Sequence, residues 1–215
     1  MIKLFKYQAF SSFDKFYPDS YLQDKVFFSN WHELNDPLEG YFRTKYFQDL
    51  TKTINEKNSI RILSLADTYY NMAMWAHYAS MHKGICLEYT IDDHNLPENI
   101  CLRKITYQDD LPSINQEPNF REKAINILSY KLSPWKYENE TRLLYFGEET
   151  LVHHNSIKLT GIILGALAGR ENTLKFTKIY KIFNERFKGN HTCRFYQGRI
   201  ITSRPFYQLE LLDMR

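Results

Sequence analysis

The chain has 215 residues, a length that suits one large domain with a substantial buried core. Hydrophobic residues make up 43% of the sequence and charged residues 25%, which is a globular composition and excludes a mainly disordered chain. A net charge of +3 is too small to indicate nucleic-acid binding by electrostatics alone.

The N-terminal residues and the cysteines predict a cytoplasmic protein. Lysines interrupt the apolar residues of positions 1–7, so we expect no signal peptide. The three cysteines, Cys86, Cys101 and Cys193, are odd in number and lie in or beside apolar runs, which suits a reducing compartment. The longest apolar stretch, at residues 161–169, is about half of the ~20 residues that a membrane-spanning helix needs. We therefore expect no membrane partner.

Strands and helices alternate along the chain without a regular βαβ rhythm. Apolar runs and alternation predict strands at residues 1–10, 25–29, 61–65, 84–89, 101–107, 137–146, 158–165, 192–197 and 204–212. Helical periodicity predicts helices at residues 40–57, 67–81, 119–132 and 171–187. This order predicts an α+β fold, with a mixed, mostly antiparallel sheet and flanking helices, in a single domain covering residues 1–215.

The second predicted helix carries an unusual stripe of side chains. Asn71, Trp75, Tyr78 and His82 share a face that is roughly 60° wide at ~100° per residue. Each carries a hydrogen-bonding group on a flat or amide side chain, so the stripe could line a pocket that stacks an aromatic ligand. His77 lies nearly opposite Trp75 and is a candidate catalytic group. The alternative is that Trp75 and Tyr78 are core aromatics and that the histidines lie at the edge.

The predicted strand at residues 137–146 carries a row of charges. Glu138, Glu140 and Arg142 share one face, with neighbours ~7 Å apart. Near Trp135, such a row suits recognition of a sugar or nucleotide ribose, because carboxylates stabilise an oxocarbenium-like centre. We expect Arg142 to pair with one of the two carboxylates, which keeps both ionised. The alternative is a solvated strand face whose ion pair contributes little energy.

Several motifs together resemble a bacterial family called domain of unknown function 2971. They are Leu4-Phe-Lys-Tyr7, Val26-Phe-Phe-Ser29, Asn35-Asp36-Pro37-Leu-Glu-Gly40, Met74-Trp-Ala-His-Tyr78, His82-Lys-Gly-Ile-Cys86 and Trp135-Lys-Tyr-Glu-Asn-Glu-Thr-Arg142. The resemblance covers residues 1 to about 185. Relatives of the family are similar to abortive-infection proteins, which implies a role in phage defence or as a toxin, with an antitoxin or defence-system partner.

A looser resemblance concerns mechanism. Glu138-x-Glu140 at the start of a strand is similar to the Glu-x-Glu strand of the ADP-ribosyltransferase fold. That resemblance implies an NAD-dependent transferase that modifies an unidentified protein or nucleic acid. Glu140 would bind the nicotinamide-ribose hydroxyl, and Glu138 would help to activate the acceptor. The other predicted NAD-binding residues are Tyr7, Trp75, Tyr78, His82 and Arg142.

Two further functions stay open, and the sequence leaves open whether the protein is an enzyme. A metal-independent ribonuclease-type toxin would use two histidines, Lys83 and a glutamate as acid, base and phosphate ligand. A non-catalytic ligand-sensing or partner-binding domain would use the same pocket. We expect no metal, since the sequence has no Cys-x-x-Cys pair. We also predict that residues 75–84 and 135–142 face one another across a single cleft.

Overall fold

The computed structural model of the protein describes residues 1–16, 25–45, 50–114, 117–187, 193–201 and 208–213. Parts of the last two predicted strands, residue 192 and residues 204–207, lie outside the described residues. No helix in the described ranges is long and apolar enough to cross a membrane.

The strands and helices confirm the predicted α+β class and its mostly antiparallel pairing. The strands are β1 (Ile2–Gln8), β2 (Lys25–Phe27), β3 (Ser29–Asn30), β4 (Ile60–Ala66), β5 (Ile85–Ile91), β6 (Ile100–Lys104), β7 (Thr106–Gln108), β8 (Tyr130–Leu132), β9 (Glu140–Phe146), β10 (Leu151–His153), β11 (Ile157–Leu164), β12 (Arg194–Ile201) and β13 (Gln208–Asp213). The α-helices are α1 (Phe10–Phe16), α2 (Leu50–Asn58), α3 (Met72–Tyr78), α4 (Phe120–Ile127) and α5 (Arg170–Phe187). Short 3₁₀ helices cover Trp31–Glu33 and Ser133–Glu138.

Two predicted helices are shorter than expected because the chain forms tertiary backbone contacts instead. The prediction over residues 40–57 is wrong at residues 40–45, where Arg43 donates its backbone N–H to Pro112 and accepts from Ile114, and correct from Leu50. Residues 46–49 of this prediction lie outside the described residues. The prediction over residues 119–132 is correct only to Ile127, since the chain then forms β8, which pairs in parallel with β7. Apolar periodicity alone does not anticipate such pairing with distant segments.

The chain divides into two compact units. Unit 1 comprises Met1–Val26, Ala66–His94 and His153–Arg215, and unit 2 comprises Phe27–Leu65 and Asn95–Val152. Each unit has strands, helices and buried apolar side chains of its own. The prediction of a single domain stays a prediction.

Unit 1 is organised around the strand order β13-β12-β11-β5-β1. β11 and β12 pair in parallel, and the other neighbours in this order are antiparallel. α5 is amphipathic: Phe176, Ile179 and Phe183 are its buried residues, at the spacing of one helical face. The rings of Phe176 and Phe183 pack edge-on against Phe195 of β12. This packing holds α5 against the strand order of unit 1.

Unit 2 has β9 between β6 and β4, with β3 antiparallel to β4. α2 and α4 pack together. The core of this unit is an aliphatic cluster formed by Ile60, Ile62, Ala124, Ile125, Leu128 and Leu144. Because β4, α4 and β9 all contribute to this cluster, it holds the strand that carries Glu140 and Arg142 against β4 and α4.

Candidate functional site

The helix that carries the predicted stripe, α3, begins at Met72 and not at Asp67 or Thr68 as expected. Asn71 is its N-cap: the side-chain oxygen accepts from the backbone N–H groups of Ala73 at 3.0 Å and Met74 at 3.2 Å. A capping oxygen satisfies N–H groups that have no partner within the helix. Asn71 therefore stabilises the start of α3.

Tyr7 and Trp75 pack together inside unit 1. Trp75 is 1% exposed, and its indole N–H donates to the carbonyl of Tyr69 at 2.7 Å. The Tyr7 ring meets Trp75 edge-on at 5.3 Å, and its hydroxyl donates to the carbonyl of Thr68. Burial raises the pKa of Tyr7. Both rings thus have internal polar partners, and the predicted ligand-binding role of Tyr7 and Trp75 would require them to become exposed.

The chain after α3 runs through a left-handed turn. Ser80, Met81 and His82 have φ angles of 49°, 53° and 65°, so the predicted helix to residue 81 ends early. Left-handed backbone costs roughly 1–2 kcal/mol per non-glycine residue. Backbone hydrogen bonds offset this cost: His82 donates to the carbonyl of Trp75, and Leu167 donates to the carbonyl of His82. The segment that begins at residue 165 thereby holds the turn.

The left-handed turn brings His82, but not His77, against the indole of Trp75. The His82 ring stacks on Trp75 with centroids 6.3 Å apart and an interplanar angle of 14°. Partial burial lowers the pKa of His82, which favours the neutral imidazole at pH 7. His77 is exposed in the last turn of α3, and its ring contacts half-buried Tyr78. Catalytic or binding roles for these three residues stay predictions.

Arg142, on β9 in unit 2, is fully buried and binds two carboxylates. Its guanidinium contacts both oxygens of Glu39, at 2.7 and 2.8 Å, and both oxygens of Glu140, at 2.6 and 3.1 Å. Nη1 also donates to the carbonyl of Leu128 at 2.8 Å. All five N–H donors of the guanidinium are therefore engaged. The predicted pairing with Glu140 is confirmed, and Glu39 is a partner that the sequence analysis missed.

Lys131 is the second cation beside Glu140. Its ammonium binds Glu138 and lies 3.0 Å from an oxygen of Glu140. Burial on its own would lower the pKa of Lys131, but the two carboxylates outweigh it and raise that pKa. Glu138 lies in a 3₁₀ helix and not on the strand, because Asn139 turns the chain with φ 46°. The two glutamates nevertheless converge on one ammonium.

These five residues, Glu39, Lys131, Glu138, Glu140 and Arg142, form a buried ionic network. Their side chains are at most 4% exposed, so the alternative of a solvated strand face is wrong. Burial would raise the pKa of Glu140, but Arg142 and Lys131 outweigh it and hold that pKa well below its usual range. Glu140 is thus an ionised carboxylate on a buried side chain, which suits a structural role more than contact with a substrate.

The predicted site residues fall in different units. Tyr7, Trp75, His77, Tyr78 and His82 belong to unit 1, whereas Glu138, Glu140 and Arg142 belong to unit 2. Within unit 1, Tyr7 and His82 contact Trp75, and within unit 2, Arg142 contacts Glu140. The prediction that both groups face a single cleft stays a prediction.

Unit 2 also contains a cleft of about 870 Å³ that the sequence analysis did not predict. Its wall includes Trp31, Phe42, Arg43, Lys45, Ile54 and Lys57. Lys57, on α2, is 5% exposed; its ammonium donates to the carbonyl of Gly40 at 2.8 Å and lies 3.6 Å from the Trp31 ring centroid. Burial lowers the pKa of Lys57 to about 8, and the charge of Glu39 offsets this only in part.

One turn joins the cleft to the ionic network. Asp36 nucleates it by accepting the backbone N–H groups of Leu38 and Glu39. Glu39 then binds Arg142, while the next residue, Gly40, has φ 72° and binds Lys57 through its carbonyl. A Cβ on Gly40 would lie 2.8 Å from the Trp31 ring, so the position requires glycine. The motif ending in Glu39-Gly40 was the sequence signal for this site.

Unit 2 is thus built from strands and helices and contains a buried ionic network beside a cleft lined by lysine and arginine side chains. The family described as Protein of unknown function (DUF2971) matches residues 74–143. This match confirms the predicted family resemblance over a segment that contains the left-handed turn and four of the five network residues. No curated protein and no solved structure gives a significant match.

Proposed function

We propose that this protein binds a small, ring-bearing anion in the cleft of unit 2, with NAD as the first candidate. The observation that carries the proposal is the burial and the hydrogen bonding of the Lys57 ammonium. Its buried ammonium has three N–H donors but one hydrogen-bond acceptor, Gly40, within the described part of the chain. The other close partner of the ammonium is the face of the Trp31 ring, which accepts no conventional hydrogen bond, so an acceptor on a bound ligand would stabilise the buried charge further.

The side chains that line the cleft favour binding of a ligand that has both a ring and a negatively charged group. Trp31 and Phe42 supply aromatic surface, and Arg43 and Lys45 supply positive charge. Arg43 pairs with Asp110 where both side chains are more than half exposed, so that pair is weak and an anionic ligand would compete for it. Small-molecule sites commonly measure about 300–1,000 Å³, and this cleft lies within that range. Nucleotides combine these features.

The buried ionic network favours binding over ADP-ribosyl transfer. A transferase of that kind needs the Glu140 carboxylate to reach a ribose, yet Arg142 holds both of its oxygens and Lys131 binds one of them. Transfer would therefore require the network to open. The site supports the ligand-sensing function better, while the toxin and phage-defence roles implied by the family resemblance stay predictions.

We predict that Lys57→Met weakens binding of NAD or ADP at least tenfold, about 1.4 kcal/mol, because the ligand loses a charged hydrogen-bond donor. Methionine keeps the length of the side chain and its apolar contacts. The measurement is isothermal titration calorimetry on the full chain. Lys52→Met is the matched control, since Lys52 lies on the same helix and is exposed. Equal affinities for the native protein and Lys57→Met would place the ligand elsewhere.

The affinity is also expected to fall as the pH rises through about 8. Burial has lowered the pKa of Lys57 to about 8, so the ammonium loses its proton in that range and no longer attracts an anion. Titrations between pH 6.5 and 9.5 would show an inflection in the native protein and in Lys52→Met. The same inflection in Lys57→Met would show that another group is responsible.

Labelled NAD separates the proposed function from the other candidates. The purified native protein and the purified Glu140→Gln variant are each incubated with labelled NAD and a cell lysate. Free nicotinamide or labelled macromolecule that disappears in Glu140→Gln would support ADP-ribosyl transfer. Cleavage of RNA without added metal would support the ribonuclease. Binding of NAD without either reaction supports a ligand-sensing domain.

A further inference from the structure

We propose that Lys57 forms a reversible imine with a small anionic aldehyde or ketone bound in the cleft of unit 2. This inference rests on the proposed binding function of that cleft and adds a class of ligand and a covalent step. It would make Lys57 a nucleophile and not only a hydrogen-bond donor.

Lys57 differs from Lys131 and Lys52 in its burial and in its hydrogen-bond partner. Lys57 is nearly buried at the wall of the cleft, against the Trp31 ring, and its hydrogen bond goes to a neutral carbonyl. Lys131 is also buried, but Glu138 and Glu140 bind its ammonium and keep it charged. Lys52 is exposed to water. A desolvated lysine in an apolar pocket is the usual arrangement for imine formation.

The negative charge of Glu39 favours the ammonium form of Lys57, but it offsets the effect of burial only in part. Both Glu39 oxygens accept hydrogen bonds from the guanidinium of Arg142. With a pKa of about 8, roughly a tenth of Lys57 is the neutral amine at pH 7, compared with less than about a thousandth for an ordinary lysine. The amine that reacts is therefore present at neutral pH.

The covalent step is a condensation without change of oxidation state. The lone pair of neutral Nζ attacks the carbonyl carbon, a C–N bond forms as the C=O π bond breaks, and one proton passes from the nitrogen to the carbonyl oxygen. The resulting carbinolamine loses this oxygen as water while nitrogen gives up a proton, which leaves a C=N bond to Lys57. Addition of water reverses the reaction, so the free amine is regenerated when the ligand leaves.

The cleft fits a ligand with three features. A negative group would meet Arg43 and Lys45, an aromatic ring would lie against Trp31 or Phe42, and a carbonyl would reach Lys57. Pyridoxal 5′-phosphate carries a phosphate, a ring and an aldehyde, so it serves as the probe. Pyridoxine 5′-phosphate has the same ring and phosphate with an alcohol in place of the aldehyde, so it binds without forming an imine.

The test treats the full-length protein with one equivalent of pyridoxal 5′-phosphate and then with cyanoborohydride, which reduces an imine to a stable amine. Peptide mass mapping locates the label. We expect Lys57 to carry most of it, with the label lost in Lys57→Arg and kept in Lys52→Arg. Excess pyridoxine 5′-phosphate should protect Lys57.

Two other results would overturn the proposal in distinguishable ways. If pyridoxine 5′-phosphate binds in the cleft by calorimetry but the label appears on exposed lysines and not on Lys57, the imine is wrong and the binding function stands. If pyridoxine 5′-phosphate does not bind and Lys57 is not labelled, the imine fails, and the binding of ring-bearing anions must be judged from the titrations with NAD and ADP.

Discussion

Replacing Arg142 with leucine is expected to lower the free energy of unfolding by about 3–5 kcal/mol. Arg142 is fully buried and neutralises Glu39 and Glu140, whose side chains are also buried. Without the guanidinium, Glu39 loses its bidentate partner, and Glu140 loses one of its two cationic partners and keeps Lys131. Urea denaturation of native and variant protein measures the difference.

A matched control is available on the neighbouring strand. Arg103 of β6 lies opposite Arg142 in the strand register, but it is half-buried and its side chain donates to a backbone carbonyl. Arg103→Leu should therefore cost less than about 1 kcal/mol. Glu39→Gln should destabilise the native protein strongly and the Arg142→Leu variant only slightly, because the two residues interact directly. Equal unfolding free energies for Arg142→Leu and Arg103→Leu would contradict the network.

The second large effect is expected at Gly165. A Cβ at this position would lie 2.2 Å from the backbone oxygen of His82 and 3.0 Å from that of Gly84. Backbone atoms cannot rotate away as a side chain would, so the segment that holds the left-handed turn must shift. Gly165→Ala is therefore expected to destabilise the protein by about 3 kcal/mol, the upper end for an overpacked position. Thermal unfolding and urea denaturation measure this change.

Gly169 provides the comparison for Gly165. A Cβ at Gly169 would meet no atom within 4 Å. Gly169→Ala should then be neutral, or slightly stabilising, because alanine reduces the freedom of the unfolded chain. In addition, Gly165→Ala should disturb the stacking of His82 on Trp75, which tryptophan fluorescence reports. Identical stability and fluorescence in both variants would show that the segment at residue 165 does not hold the turn.

The predicted ion pair in the charged row was confirmed because it depends on neighbours along the chain. Arg142 and Glu140 are two positions apart on one strand, so their pairing follows from the alternation of side chains in a strand. Glu138 also lies beside Glu140 as expected, although Asn139 places it on a 3₁₀ helix. The sequence could not indicate burial of this group, which depends on strands and helices from distant parts of unit 2.

The residues that complete the ionic network and the cleft come from distant positions in the chain. Glu39 binds Arg142 across 103 positions, and this contact turns an expected exposed ion pair into a buried network. The cleft likewise depends on α2 lying beside the turn that contains Gly40. Helical periodicity placed Lys57 in a helix, but it gave no reason to expect a buried ammonium at that position.

The sequence by itself determined the α+β class, the positions of most strands and the charged row near residue 140. These follow from residue alternation, helical periodicity and turn residues, which act over a few positions. Tertiary structure alone decided that α3 ends in a left-handed turn held by the segment from residue 165. It also decided that Arg142 has a second carboxylate partner and that Lys57 borders a cleft. Burial and long-range pairing determine the charge state and accessibility of a side chain, and neither property is encoded locally.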